Sequence, residues 1–303
     1  MSGPLTLALD IGGTKTAAAL VTEDGALMDR RWSRTPAALG ADAVMAEALR
    51  TAHALAADHA PGGVGIGSAG VIDTDTGTVR SATDALPGWA GTDLRGTFQR
   101  ELGLPVSVAN DVHTHALGEH WRGAARDHEC VLFVAAGTGV GGALLIEGDV
   151  HSGARSAAGH VGHVPVPEAD GLACPCGANG HVEAVASGPA LVRAHRAAGG
   201  QGSRLEEVVA AADRGDPSAR EVLVSGARAL GTALAGAANV LDPDLIVIGG
   251  GVTAAGEHWW PHLRRGVADG TIPALRGLPV AESQLGADAA LLGAARLVRR
   301  EQG

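Results

Sequence analysis

Leu7-Ala-Leu-Asp-Ile-Gly-Gly-Thr-Lys-Thr-Ala-Ala-Ala-Leu20 decides the fold class. An apolar run of strand length leads into a Gly/Thr turn and then a second apolar run, which reads as a glycine-rich β-hairpin. The scheme recurs at Val131–Leu145, through Ala136-Gly-Thr-Gly-Val-Gly-Gly142. Glycine lets backbone N–H groups approach anionic oxygen closely, so two such turns facing each other across a cleft would hold a chain of phosphates from both sides. Each turn alone reads equally as a plain tight turn. Other phosphate-loop readings fail on spacing. Gly12-Gly13-Thr14-Lys15-Thr16 ends like a Walker loop but lacks that loop's spacer after the first glycine. Gly137, Gly139 and Gly142 resemble a dinucleotide fingerprint, yet Ala143-Leu-Leu-Ile146 continues as strand where that motif must open a helix.

Outward from the hairpins, strand-like runs at Leu5–Leu9, Ala17–Val21, Val64–Gly67, Val106–Ala109, Val131–Ala135, Gly142–Ile146 and Leu245–Ile248 alternate with helical patterns, the signature of an α/β protein. Met45, Leu49, Ala52 and Ala56 share the spacing of one helix face ahead of Pro61-Gly62-Gly63, and a second helix is predicted from about Pro217 to Val240, stopped by Asp242-Pro243. Gly249-Gly250-Gly251 follows its strand where open α/β sheets bind ligands. A chain of 303 residues suggests two domains, and 46% hydrophobic with 18% charged residues excludes disorder as the main state. With 33 acidic against 23 basic residues, and Lys15 as the only lysine, a surface that tracks a phosphate backbone is not expected, so no nucleic-acid partner is expected either. No basic-then-apolar leader and no apolar run of about 18 residues stands out, so neither export nor a membrane partner is expected.

Three cysteines cannot form a closed set of disulfides, which suits a reducing cytoplasm. Cys174 and Cys176, with histidines nearby, read as metal ligands or as two small buried thiols; Cys130, before an apolar strand, reads as a core thiol. Asp111 stands just past the strand at 106–109, where it can accept a hydroxyl proton or cap a helix. Asp10 reads as a strand-end turn former or as a carboxylate near metal-bound phosphates. Trp259-Trp260 is either an exposed aromatic contact or partly buried packing.

Taken together these segments resemble the ROK family of actin-like sugar kinases, named for repressors, open reading frames and kinases. Asp10-Ile-Gly-Gly-Thr-Lys-Thr16 resembles the family's first phosphate motif, Ala136–Gly142 the second, and Asp242-Pro-Asp-Leu-Ile-Val-Ile-Gly-Gly-Gly251 the adenosine motif. Val108-Ala-Asn-Asp111 matches the sugar and catalytic segment, and Gly159-His-Val-Gly-His163 with Cys174-Pro-Cys-Gly-Ala-Asn-Gly-His-Val-Glu183 the signature region. Gly286–Gly293 resembles the closing helix. The resemblance implies an α/β fold of two ribonuclease-H-type lobes around a nucleotide cleft. Residues 1–117 and 287–303 would form the first lobe, with the closing helix packed back on it, and 118–286 the second. With the motif at Asp10, the winged helix that DNA-binding members carry ahead of it is not expected, nor is the repressor role that goes with it.

The same resemblance implies an ATP- and Mg²⁺-dependent transfer of phosphate to the 6-hydroxyl of a hexose. Asp111 would be the base; Asn110, Asp111, His160, His163 and Glu183, with Gly70 on the closing Gly67–Gly70 loop, would bind the sugar. Asp10, Gly12, Gly13, Thr14, Lys15, Gly137, Thr138, Gly139, Gly250 and Gly251 would bind the nucleotide. His163, Cys174, Cys176 and His181 would hold a structural Zn²⁺, His181 standing where the family commonly has a third cysteine. A cytoplasmic homodimer is the family's expectation. Two departures bear on the sugar: His160 replaces the Glu of most glucose-type members, as in bacterial N-acetylmannosamine kinases, and Ala85 stands where many relatives have Asn. An amino- or N-acetylamino-hexose of N-acetylmannosamine or kanosamine type is therefore expected over glucose. Glucokinase and a non-catalytic sugar sensor are the alternatives.

Overall fold

The computed structural model describes residues 5–83 and 85–302, which form two compact units. The first comprises residues up to Asp127, the excursion Gly148–Ala158 and the segment from Gln284 onward; the second comprises His128–Glu147 and Gly159–Ser283.

In the first unit, β1 (Thr6–Ile11), β2 (Lys15–Val21), β3 (Leu27–Arg34), β4 (Gly63–Ser68) and β7 (Val106–Asn110) form one sheet in the order β3-β2-β1-β4-β7. The β1–β2–β3 part is antiparallel, and β4 and β7 add to β1 in parallel. A ribbon of β5 (Val71–Asp73) and β6 (Thr78–Ser81) stands apart from it. Alternation along the strands separates two faces. Leu7, Leu9, Ile11, Ala18 and Leu20 point into a core completed by Val44, Ala48 and Leu55 of α1 (Ala41–Ala56), by Phe98 of α2 (Leu94–Leu102) and by Trp89. Ala8, Ala19 and Val21 face the other way, onto Leu291, Leu292, Ala294 and Ala295 of α9 (Asp288–Gln302). α9 approaches β4 so closely that a side chain at Gly65 would overlap the Ala294 carbonyl. The buried stripe of α1 is Val44, Ala48, Ala52 and Leu55, rotated from the expected Met45–Leu49–Ala52–Ala56 face; alanine tolerates both faces, so the periodicity was ambiguous by one residue.

Helix α3 (Asp111–Arg122) runs unbroken past residue 117 and packs along α9 through small residues, Gly118 against Ala289 and Gly293 against Thr114. Its Glu119 is fully buried, and the carboxylate accepts the backbone N–H groups of Ala124 (2.8 Å), Gln284 (3.2 Å) and Leu285 (2.8 Å). One carboxylate thus ties the segment leaving α3 to the segment that returns into α9. The short strand β10 (Asp149–Val150) lies in the excursion of this unit, where Asp149 pairs with Arg300.

The second unit repeats the scheme. β8 (Cys130–Ala136) pairs antiparallel with β9 (Val140–Ile146) and parallel with β11 (Leu245–Gly249), which pairs parallel with β12 (Val280–Glu282). Its core joins Leu132, Val134, Ile246 and Ile248 to α7 (Pro217–Leu241), α8 (Trp260–Gly270) and the shorter α4 (Glu183–Ala186), α5 (Gly188–Ala197) and α6 (Leu205–Asp213). Asp216 caps α7 by accepting from Ser218 and Ala219, with Pro217 at its first position, and Asp242 ends it in the left-handed region ahead of Pro243. Trp259 and Trp260 are buried packing, stacked edge to face. Cys130 is half-buried at the start of β8 rather than in the core. No helix among the described residues is long and apolar enough to cross a membrane.

Candidate active site

Three parallel strands of the first unit end level with one another, since Ile11, Ser68 and Asn110 are register partners across β1, β4 and β7. The carboxyl edge of such strands is where open α/β sheets place ligand-binding groups. Here it gathers Asp10, the turn Gly12–Lys15, Gly70, Asn110 and Asp111. The turn is a closed hairpin, with the Gly12 N–H donating to the Lys15 carbonyl at 3.0 Å and the Thr35 hydroxyl donating to the Gly12 carbonyl at 2.7 Å. Gly13 lies against Ala85, so the second of the two family departures borders this turn. Lys15 is exposed and rests on Trp32, its Nζ 5.5 Å from the ring centre. Trp32 is itself 71% exposed.

Asn110, not Asp111, caps α3. Its Oδ1 accepts from the Val112 N–H (2.9 Å) and the His113 N–H (3.3 Å), while its Nδ2 donates to the Gly70 carbonyl (2.8 Å) and to Asp111 Oδ1 (2.9 Å). A sugar hydroxyl reaching Asn110 would have to displace one of these partners. Asp111 is the first residue of the helix, and its Oδ1 also accepts from the Val112 N–H (2.9 Å). Both of these hydrogen bonds, from Asn110 and Val112, fall on Oδ1. Burial raises the Asp111 carboxyl above the ordinary range, opposed chiefly by His115. Burial likewise lifts Asp10 to about 6, with His115 pulling it down, the Asp111 charge pushing it up and Lys15 pulling it down. Two carboxylates that interact in this way share a preference for having a cation or a proton nearby.

His115 escaped the sequence reading. It lies one helical turn beyond Asp111, on the same face, and its Nδ1 is 2.9 Å from the Asp111 carbonyl. The i, i+4 spacing from a suspected base was the available signal.

In the second unit the β8–β9 turn is closed by the Gly137 N–H donating to the Gly139 carbonyl at 2.8 Å. Gly250, with φ +92°, packs so tightly on Ala136 that any side chain there would overlap its backbone, which brings Gly250 and Gly251 beside Gly137. Thr138 is exposed at the turn's tip. The nucleotide candidates of this unit therefore form one surface at the strand ends.

Beside it lies the signature region. The ligating atoms of His163, Cys174, Cys176 and His181 all fall within 4.8 Å of one another, with Cys174 Sγ 3.7 Å from His163 Nδ1 and Cys176 Sγ 3.3 Å from His181 Nδ1. Ligands around a tetrahedral zinc stand about 3.3–3.8 Å apart, so these four fit that ion. Burial holds the Cys174 thiol up at about 11, so its thiolate form calls for a cation at this spot. Glu183 is buried, accepts the Val140 N–H at 2.7 Å through Oε2, and has Oε1 3.8 Å from Cys174 Sγ. The His160 ring stacks near His163, 6.2 Å between centres, and its Nδ1 is buried without a hydrogen-bond partner among the described residues. Burial lowers the pKa of His163, favouring the neutral ring that a metal requires.

Comparison with known proteins bears on this arrangement. The model of the ROK family matches residues 6–301. The chain belongs to the ROK family. Among ROK relatives, a glucokinase of Thermotoga maritima is 32% identical over 98% of both chains. An N-acetylmannosamine kinase of Yersinia pseudotuberculosis is 34% identical over 97% of this chain and 98% of its own. The crystal structure of a ROK glucokinase from Streptomyces griseus, in complex with glucose and AMPPNP, is 34% identical and superposes with a TM-score of 0.84 over 98% and 99% of the two chains. This ROK protein accordingly has the actin-like α/β ATPase fold.

Proposed function

We propose that this ROK-family sugar kinase moves the γ-phosphate of ATP to the 6-hydroxyl of a glucose-like hexose, and that it prefers an amino- or N-acetylamino-hexose, of N-acetylmannosamine or kanosamine type, to glucose. The observation that carries the chemistry is the asymmetry of Asp111: one carboxylate oxygen is fixed by Val112 and Asn110, and the other is left to accept a proton.

A sugar hydroxyl is a far weaker acid than a carboxyl group, so its proton leaves as the new bond to phosphorus forms, and a placed carboxylate contributes roughly 10²- to 10⁴-fold. Asp111 takes that proton on Oδ2. Asn110 holds the carboxylate in plane and links it to the Gly70 carbonyl, so the sugar loop and the base are set together. Asp10, beside Asp111, is the carboxylate for Mg²⁺; that ion, when bound, neutralises phosphate charge and raises the electrophilicity of the transferred group. Gly12, Gly13, Thr14 and Lys15, and in the second unit Gly137, Thr138, Gly139, Gly250 and Gly251, are the nucleotide candidates; Gly12 and Gly137 spend their own N–H groups on closing their turns and so serve by shaping them. His163, Cys174, Cys176 and His181 hold a structural Zn²⁺ that braces the loop carrying the sugar-side residues His160, His163 and Glu183. The assembly is a homodimer.

The sugar preference rests on His160. An imidazole in place of a carboxylate removes a charge and offers a donor, which suits an acylamino oxygen. Glucose itself is the second reading, favoured by the relatives named for it. A coupled ADP-release assay over glucose, mannose, glucosamine, their N-acetyl forms and kanosamine decides, by kcat/KM. The expected leader is an N-acetylated or amino sugar, and His160→Glu moves the preference toward glucose. A glucose kcat/KM above all others overturns the preference. Sugar binding without ADP release would mark a sensor instead.

A further inference from the structure

The second glycine turn is gripped at both ends by one short segment. At one end, the Val140 N–H donates to buried Glu183 Oε2 at 2.7 Å. At the other, the Gly188 N–H donates to the Gly137 carbonyl at 2.8 Å, and Gly188 lies so close that a Cβ there would sit 3.2 Å from that oxygen. Between the two grips runs α4, whose end is tied to its beginning by the Ser187 hydroxyl donating to the Glu183 carbonyl at 2.9 Å. The glycine at 139 has its reason here as well. Gly139 is not among the positive-φ glycines, so its backbone does not demand glycine. A Cβ on it would fall 2.7 Å from Glu183 Oε2, and so the carboxylate does.

We propose that Glu183, placed above on the sugar side, is also a positioning residue for the nucleotide: through Val140 it sets the shape of the Gly137–Val140 turn, so that nucleotide affinity depends on Glu183 when no sugar is present. The inference rests on the kinase reading for its ligand but not for its geometry. A buried N–H that loses its acceptor is destabilised unless it moves toward water, and Val140 can move only by deforming the turn. Glu183 also reaches toward Cys174, with Oε1 3.8 Å from the sulfur, so the strut begins at the edge of the metal cluster.

The test is the affinity of a non-hydrolysable ATP analogue with Mg²⁺, measured by calorimetry without sugar, on the whole protein and its variants. Glu183→Gln keeps an oxygen that can accept from Val140 and is expected to bind within about threefold of the unaltered protein, whereas Glu183→Ala is expected to lose about tenfold. Gly139→Ala is expected to weaken binding strongly in the unaltered protein and much less in the Glu183→Ala background, where the space is free. Binding by Glu183→Ala within twofold of the unaltered protein, or equal effects of Gly139→Ala in both backgrounds, overturns the proposal. Hydrogen exchange at the Val140 amide reads the strut without any ligand: protection is expected to survive Glu183→Gln and to fall in Glu183→Ala. If the unaltered protein fails to bind the analogue, the nucleotide reading is lost, and unchanged Val140 protection in Glu183→Ala would sink the strut as well.

Discussion

With Oδ1 of Asp111 held by Val112 and Asn110, a proton taken from a hydroxyl arrives on Oδ2, and the variant that keeps the shape while removing the acceptor is Asp111→Asn. Its turnover is expected to fall at least a hundredfold with the melting temperature little changed; a mutant keeping a tenth or more of the rate would remove Asp111 from the role of base. The same neighbourhood fixes a pH dependence. Asp10 is raised from 3.8 to about 6 and Asp111 is raised too, both chiefly by burial, so turnover needs both ionised and is expected to decline as pH falls through about 6. Stability runs the other way. Between roughly pH 4 and 6 the folded protein binds more protons than the unfolded chain, so ΔG of unfolding decreases as pH rises through that window. At neutral pH the buried charge on Asp10 therefore destabilises the fold. Asp10→Asn is expected to melt higher and work worse, which thermal scans and initial rates on one preparation would establish; a lower melting temperature for Asp10→Asn would contradict the assignment.

Helix α3 carries a candidate base at its first residue and a three-way backbone clamp eight residues later at Glu119. Three part-buried N–H groups share that buried carboxylate, and each loses its acceptor in Glu119→Ala, at about 1 kcal/mol apiece. Denaturant titration is expected to show a loss of about 3 kcal/mol or more, with Glu119→Gln between the two; a loss below 1 kcal/mol would mean that water reaches these groups. Elements of this kind differ in how openly the sequence announces them. The two hairpins were legible because Gly and Thr interrupt runs that are apolar on both sides of the pleat, and α7 because Asp216-Pro217 and Asp242-Pro243 punctuate it. β3 was not: Asp29, Arg30 and Arg31 interrupt its pattern, and an edge strand paired only to β2 can carry them in solvent. Of the site, Asp10, Asn110 and Asp111 could be found from their places at strand ends together with the family resemblance. The strut from Glu183 to Val140 could not, because it depends on a close approach between segments over forty residues apart that no local pattern records.

At the scale of the molecule, each unit carries a glycine hairpin at the carboxyl edge of a sheet, and the second also carries the cysteine–histidine cluster. The four ligating side chains come from two stretches, His163 and 174–181, held by turns rather than by long helices. Metal analysis of protein purified without chelator is expected to find about one zinc per chain. His181→Cys is expected to keep it, and Cys176→Ser to lose it together with sugar affinity. Metal-free protein of full activity would refute the site. The face of the first sheet lined by Ala8, Ala19 and Val21 has a different consequence. Its strands are complete by Asn110, yet the helix that covers that face begins at Asp288. During translation the ribosome must add the whole second unit before the cover exists. A nascent chain stalled near residue 280 therefore carries a bare, small-residue surface, and its survival in the cell becomes a matter for chaperones.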